Sequence, residues 1–386
     1  MSSLKKRKGN RTVEIYYDNT WYTFSWLKVL YLNRKRFSLR GFRIVFRGPT
    51  FFVPMMNRVF KPLSSKEDFL NEFASKHDVV VFAYHHPASI CGFDPDDRIE
   101  CMKRIRDNSS HVVWLDTADS PGTCLFDVLP YVDAYLKKQT YGDLSVYRKP
   151  LYGDRLYTEY YHDRFAVADE KAPPSQYRLD DASLQKIGVS WNIGLSDMFS
   201  YNKIRRLFER NRLQKLHFTP PEKNRAFDVH YRCSFQPGIY GFQRKEYHEI
   251  LTGKENLDKL DYSVNPHGKE YRREMARSRA VLSPFGFGEI CIRDFEAFFS
   301  GALLLKPDVG HLTTYPDWFV PNVTYLPMKW DFSDADAVFD AVHSGDAQLT
   351  RIAENGQQLL KRYRSDKSKN DEFVMHILQS FKLSEV

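Results

Sequence analysis

Short, uninterrupted apolar runs dominate the first half of the chain. Phe42 to Phe46 (FRIVF), Val79 to Ala83 (VVVFA) and His111 to Leu115 (HVVWL) are too short for helices and rich in β-branched and aromatic residues, so each predicts a strand buried on both faces. Between them the period lengthens. Ser65 is a candidate cap for a helix on which Phe69, Leu70 and Phe73 share one face, with Glu67 and Asp68 in its first turn. Asp94 and Pro95 form an N-cap and first-position pair ahead of Ile99, Met102 and Ile105 at helical spacing. Val132, Ala134 and Leu136 alternate as one more short strand, after a loop from Asp116 to Thr123. Strand, helix, strand, helix, strand predicts a doubly wound parallel sheet, with ligands at the loops that follow the strands.

The pattern becomes irregular from Asp169 to Asn224, where Pro173-Pro174 and Pro220-Pro221 fall, apart from a basic helix expected over Tyr201 to Leu213. A second alternating unit follows. Ala226 to Tyr231 and Ala280 to Pro284 predict strands, and Lys269 to Arg279 predicts a helix. A helix from Cys291 to Ser300 ends at Gly301, the residue type that favours a helix C-terminus. Ala302 to Lys306 and Thr324 to Lys329 predict strands; Ser333 caps a helix through Val342, and another runs from Ala347 to Arg364. Phe373, Val374, Ile377, Leu378 and Phe381 make Asp371 to Leu383 amphipathic. The expected organisation is a basic, solvated tail over 1–12, an N-terminal Rossmann-like domain over 13–190, and an interdomain segment over 191–224. A C-terminal Rossmann-like domain over 225–370 and a terminal helix over 371–386 complete it. The fold class is α/β, two Rossmann-like doubly wound domains facing a central cleft.

Composition narrows the choice of partner. The 57 Lys and Arg against 49 Asp and Glu give a net charge of +8, which suits an anionic ligand. The basic residues are spread along the chain apart from Lys5 to Arg11, and no nucleic-acid-binding signature accompanies them, so nucleic acid is not an expected partner. No apolar run approaches the ~18 residues that span a bilayer. The basic start has no apolar segment or cleavage site behind it, so it reads as a tail rather than a secretory signal, the alternative being peripheral contact with the anionic inner face of a membrane. The five cysteines, Cys91, Cys101, Cys124, Cys233 and Cys291, are scattered without a CxxC pair, which points to reduced core residues and the cytoplasm.

The candidate chemistry is densest between Ser283 and Pro307. A strand ends at Ser283, Gly286 and Gly288 flank Phe287, and a helix then begins, whose unpaired N–H groups and partial positive charge can hold a phosphate. Arg293 and Glu296, three apart, share a helical face; a guanidinium can fork onto phosphate and a carboxylate can accept from sugar hydroxyls. Glu289 sits between them and the glycines. Arg232 follows a predicted strand whose end faces the interdomain cleft, which makes it a second phosphate candidate. Lys306 either reaches the same cleft or pairs with Asp308.

This stretch resembles the donor-binding signature of two-Rossmann (GT-B) glycosyltransferases, in which a Gly-rich turn precedes a helix with an acidic residue, a small residue and Gly. Gly286-Phe287-Gly288, Glu296-Ala297 and Gly301 match in that order. SPFGFGEICIRDFEAFFSGALLLKPD and HLTTYPDWFVPNVTYLPMKWD, with VVWLDTADSPGT and YVDAYLKKQ upstream, resemble bacterial polysaccharide glycosyltransferases of the exostosin-like type across Val79 to Arg364. The resemblance implies a phosphorylated sugar donor, a glycan or lipid-linked glycan acceptor, Glu296 on ribose or donor hydroxyls, and Arg293 with Gly288 on the pyrophosphate. It departs from the retaining pattern, because Glu289 and Glu296 are seven rather than eight positions apart, so no retaining assignment transfers.

A base for the acceptor hydroxyl should come from loops of the first domain. Asp119 leads, with Asp116 and His85 as the other candidates. No cofactor or metal is expected: Asp94-Pro-Asp96 and Asp334-Ala-Asp336 imitate a metal-binding Asp-x-Asp but stand where helices start. Two other readings stay open. The loop VVWLDTADSPGT loosely resembles that with which phosphoribosyltransferases hold phosphoribosyl pyrophosphate, although Thr117 replaces the second acidic residue. The fold also serves inactive sugar- or nucleotide-binding proteins. A Rossmann oxidoreductase is disfavoured, since no third Gly follows Gly286 and Gly288 at the required spacing.

Overall fold

A computed structural model describes residues 10–18, 20–47, 66–84, 95–175, 177–199, 213, 215–222, 224–260, 266 and 268–384. Asp94, His85, Ser65, Cys91 and all but one residue of the helix expected over Tyr201 to Leu213 lie outside them.

The first unit is a six-stranded parallel sheet. Its strands are β1 (Arg11–Tyr17), β2 (Phe42–Arg47), β3 (His77–Tyr84), β4 (Ser109–Asp116), β5 (Ala134–Lys137) and, after a short β6 (Gln139–Tyr141), β7 (Ile187–Val189). They lie in the order β2-β1-β3-β4-β5-β7, and all five pairings are parallel. The apolar runs are continuous because both faces are covered. Val79, Val81, Val113 and Leu115 enter one core, while Val80, Phe82, Val112 and Trp114 enter another. Helices Trp21–Leu39 and Pro95–Asn108 supply part of that cover.

The second unit holds β8 (Phe227–His230), β9 (Ser278–Leu282), β10 (Leu303–Pro307) and β12 (Leu326–Met328), parallel in the order β12-β10-β9-β8. Helices Ile239–Gly253, Lys269–Ala276, Ile292–Ser300, Ala335–Ser344 and Ala347–Ser365 accompany them. The expected fold class is therefore observed: two parallel α/β units whose strand ends meet at a cleft. Gly301, at φ 69°, closes the Ile292–Ser300 helix in the left-handed region.

Several boundaries move. The expected tail over 1–12 is too long, because Arg11 and Thr12 already pair with Phe42 and Arg43 in the sheet. Strand β1 and helices Trp21–Leu39 and Ile239–Gly253 carry no expectation from the sequence. Asp334, not Ser333, is the N-cap of the Ala335–Ser344 helix.

Two features join the units. Thr140 and its neighbours pair antiparallel with β11 (Leu312–Thr314), a two-stranded ribbon built from both. The last helix, Ser368–Ser380, returns to the first unit, where His376 lies 2.6 Å from the Ser190 carbonyl and Phe373 packs edge-on against Trp191. Trp191 in turn stacks on Trp26 at 4.1 Å and Lys28 pairs with Asp197 at 2.5 Å, while Phe199 packs edge-on against Phe295 and Phe299, so the residues directly after 190 touch both units. No helix among the described residues is long and apolar enough to cross a membrane.

Candidate functional site

Parallel strands end on one side of each sheet, and the loops that leave those ends face one another. From β4 comes the loop carrying Asp119; from β5 comes Lys138; from β9 comes the Phe285–Gly288 turn. Together they enclose a cavity of about 490 Å3 lined by Tyr22, Asp119 and Lys138 on one side and by Arg244, Tyr271, Gly286, Phe287, Gly288, Arg293 and Glu296 on the other. The two walls touch at Gly288. A Cβ there would lie 2.2 Å from the Asp119 carbonyl oxygen, so only glycine permits this approach.

On the first wall, Lys138 is buried and donates to Tyr22 Oη and, at 3.1 Å, to the half-exposed Asp119 carboxylate. Burial opposes its charge, but Tyr22 and Asp119 together raise its pKa, so it stays a cation. Asp116, the last residue of β4, is committed to the fold. Its carboxylate accepts from Lys137 Nζ at 2.6 Å, Tyr135 Oη at 2.5 Å and Ala118 N at 2.7 Å. The loop between is packed, with Thr117 and Ser120 fully buried, and among its candidate residues it offers the cavity Asp119 alone.

On the second wall, Arg244 donates through Nε to Phe285 O at 2.9 Å and through Nη1 to Ser234 O at 2.8 Å. Its Nη2 makes no hydrogen bond among the described residues and lies 2.3 Å from where a Gly286 Cβ would be. Arg293 donates Nη2 to Arg232 O at 2.5 Å and Nη1 to Cys233 Sγ at 3.2 Å, while its buried Nε finds no partner among the described residues. Tyr271 Oη donates to Glu296 at 3.2 Å. Behind Tyr271, edge-on at 5.1 Å, His230 is fully buried; neither ring nitrogen makes a hydrogen bond among the described residues, and Nε2 lies 3.7 Å from the Glu274 carboxylate. Burial first, then Arg293 and Arg232, pushes its pKa down to about 3, so the imidazole is neutral.

The underside of the turn is different in kind. Lys306 and Asp294, both fully buried, pair at 3.0 Å; Ser283 Oγ donates to Asp294 at 2.5 Å, and Asp294 accepts from Cys291 N at 2.9 Å in a capping box. Lys306 thus pairs with Asp294, not with Asp308. Glu289 is also fully buried: Oε1 accepts from Ser120 Oγ at 3.2 Å across the seam between units, and Oε2 has no partner among the described residues. Burial pushes its pKa up to about 7 against the pull of Arg155. Arg155, from the first unit, donates to Phe287 O at 2.7 Å and Thr123 Oγ1 at 2.9 Å, tying the turn to the Asp119 loop.

Of the residues singled out in the sequence, Asp119, Gly286, Phe287, Gly288, Arg293 and Glu296 meet in the cavity. Ser283, Glu289 and Lys306 lie beneath it, and Arg232 forms a two-point ion pair with Glu274 at 2.8 and 3.0 Å. His85 lies outside the described residues. Sequence reasoning passed over Tyr22, Lys138, Arg244 and Tyr271. Lys138 follows a strand within the quoted YVDAYLKKQ, and that position was its one available signal. Away from the cavity, Asp228, Asp258 and His343 converge, but the Asp228 carboxylate is already held by Arg279 at 2.5 Å and His343 at 2.7 Å.

No protein-family model matches the chain, and no curated protein does. Among solved structures it is similar to an alpha-glucosyltransferase (AGT) in complex with UDP, at 10% identity over 95% of this chain and 99% of that one, TM-score 0.42. It is also similar to a glycosyltransferase from Rickettsia africae ESF-5, at 10% identity over 98% and 100%, TM-score 0.45. Anabaena Alr3699/HepE in complex with UDP-glucose is similar at 11% identity over 95% and 99%, TM-score 0.41. Superpositions this loose transfer no residue role.

Proposed function

We propose that the chain is a glycosyltransferase that moves a sugar from a nucleotide-sugar donor to a saccharide or lipid-linked saccharide acceptor in cell-surface polysaccharide synthesis. The observation that carries this reading is the cavity between Asp119 and the Phe285–Gly288 turn, where a carboxylate from one wall faces guanidinium groups and a second carboxylate on the other. The donor lies along the part of the second wall formed by Gly288, Arg244, Arg293 and Glu296. Its diphosphate sits against the Gly288 backbone and the start of the Ile292–Ser300 helix, with Arg244 and Arg293 supplying positive charge, and its ribose or sugar hydroxyls donate to Glu296. Asp119 takes the proton of the acceptor hydroxyl as that oxygen bonds to the sugar's anomeric carbon. The bond from that carbon to phosphate breaks, and the nucleoside diphosphate leaves with the electron pair. The two guanidiniums stabilise the departing charge without a metal.

The packed 116–123 loop argues against a phosphoribosyl pyrophosphate donor, because its buried Thr117 and Ser120 leave no phosphate cradle there. The cytoplasm is the compartment this reading implies, and the described cysteines Cys101, Cys124, Cys233 and Cys291 form no disulfide. Release of UDP from UDP-glucose and other UDP-sugars, with and without added glycans, tests the proposal. Glu296→Ala should cut UDP release at least tenfold; undiminished release in that variant removes the site assignment.

A further inference from the structure

The Phe285–Gly288 turn is fastened at three successive carbonyls. Phe285 O accepts from Arg244 Nε at 2.9 Å, Gly286 O from Tyr157 Oη at 2.5 Å, and Phe287 O from Arg155 Nε at 2.7 Å. Gly286 N closes the turn onto Gly288 O at 3.0 Å. Backbone held in this way keeps the Phe287 side chain where it is, and the ring stays 50% exposed on the cavity wall. Its described ring neighbour is Tyr240, at 5.4 Å and tilted by 46°. A large apolar side chain is normally drawn inward by the hydrophobic effect, and here the fastened turn opposes that.

The surroundings of the ring specify what belongs on it. The next residue, Gly288, abuts the Asp119 backbone, and Lys138 and Arg244 line the same cavity. A half-exposed aromatic ring that shares its cavity with the Asp119 carboxylate and the Arg244 guanidinium suits a pyranose. Its C–H face lies on the negative face of the π-system, and its hydroxyls bond to the charged groups. We infer that Phe287 is the platform on which a pyranose ring of the acceptor saccharide stacks, next to Asp119. The inference rests on the transferase reading for the role of Asp119, and it moves Phe287 from the donor groups expected from sequence to the acceptor side. Placement favours that side. Phe287 is held by Arg155 of the first unit and precedes the glycine that touches Asp119, whereas Tyr271 and Glu296 bond to each other on helices of the second unit.

The 386-residue chain is tested on an array of immobilised glycans, with and without UDP, as wild type, Phe287→Ala and Phe287→Trp, while calorimetry measures UDP affinity in parallel. The expected result is retention of the wild type on a subset of pyranose glycans, at least tenfold weaker retention of Phe287→Ala, and restored retention of Phe287→Trp. UDP affinity should stay within twofold in all three. Absence of any glycan retained by the wild type overturns the platform. So does a tenfold loss of UDP affinity in Phe287→Ala with glycan retention unchanged, which makes the ring a nucleobase support. Glycan retention through Phe287 without UDP binding leaves the platform standing and removes the nucleotide-sugar reading instead.

Discussion

The upper and lower faces of one turn carry similar residue types to opposite ends. Above it, Arg244, Arg293 and Glu296 line a cavity of about 490 Å3. Below it, Lys306, Asp294 and Ser283 neutralise one another at 2.5 to 3.0 Å with no exposure. In sequence both sets look like polar groups beside a phosphate turn. The difference lies in what surrounds each set: the lower set is buried and satisfied within the protein and fixes the turn, and the upper set lines open space. Glu289 stands between the two conditions, buried like the lower set yet with one oxygen unpartnered among the described residues.

Variants can break that contrast, beginning with the largest change in stability. Asp294→Ala leaves the Lys306 ammonium buried and unpaired, and a loss of about 3–5 kcal/mol in unfolding free energy is expected from denaturant titration. A loss under about 1 kcal/mol would mean that the lower network is not structural. Glu289 comes next. Its folded pKa, near 7, lies above the ordinary carboxyl value, so the folded state binds the proton more tightly than the unfolded chain. Its contribution is therefore fully present below about pH 4.5 and is lost as pH rises through about 7. Between pH 5 and 8 the wild type should lose roughly 2–3 kcal/mol more than Glu289→Gln, measured as unfolding free energy at each pH. Parallel curves would contradict it. Gly288→Ala is the mildest, at about 1–3 kcal/mol, because the added methyl must displace the Asp119 carbonyl now 2.2 Å from its position. Alone among the three it should also weaken UDP binding, since it shifts both walls.

Much of the framework is legible in the sequence, for a physical reason. Strands buried on both faces need apolar residues at every position, so Val79 to Ala83 and His111 to Leu115 stand out without any alignment. The Ile292–Ser300 helix is marked by its glycine end. Helix Trp21–Leu39 is not legible in this way, because Thr23, Ser25, Lys28 and Asn33 are buried among its apolar residues and blur the helical stripe. The site divides similarly. Gly288, Arg293 and Glu296 are close in sequence and could be grouped, whereas Arg244 and Tyr271 reach the cavity from helices whose own patterns carry no chemistry. Nor does a sequence reveal which side of a turn a lysine faces: Lys306 and Asp116 have the residue types of a site and the surroundings of a core.

A crystal structure of the protein soaked with UDP tests the central claim most directly. The account predicts the diphosphate in the interdomain cavity, within hydrogen-bonding distance of the Gly288 backbone and of Arg244 or Arg293, with the ribose at Glu296. UDP bound elsewhere, with Arg244, Arg293 and Glu296 untouched, would contradict it.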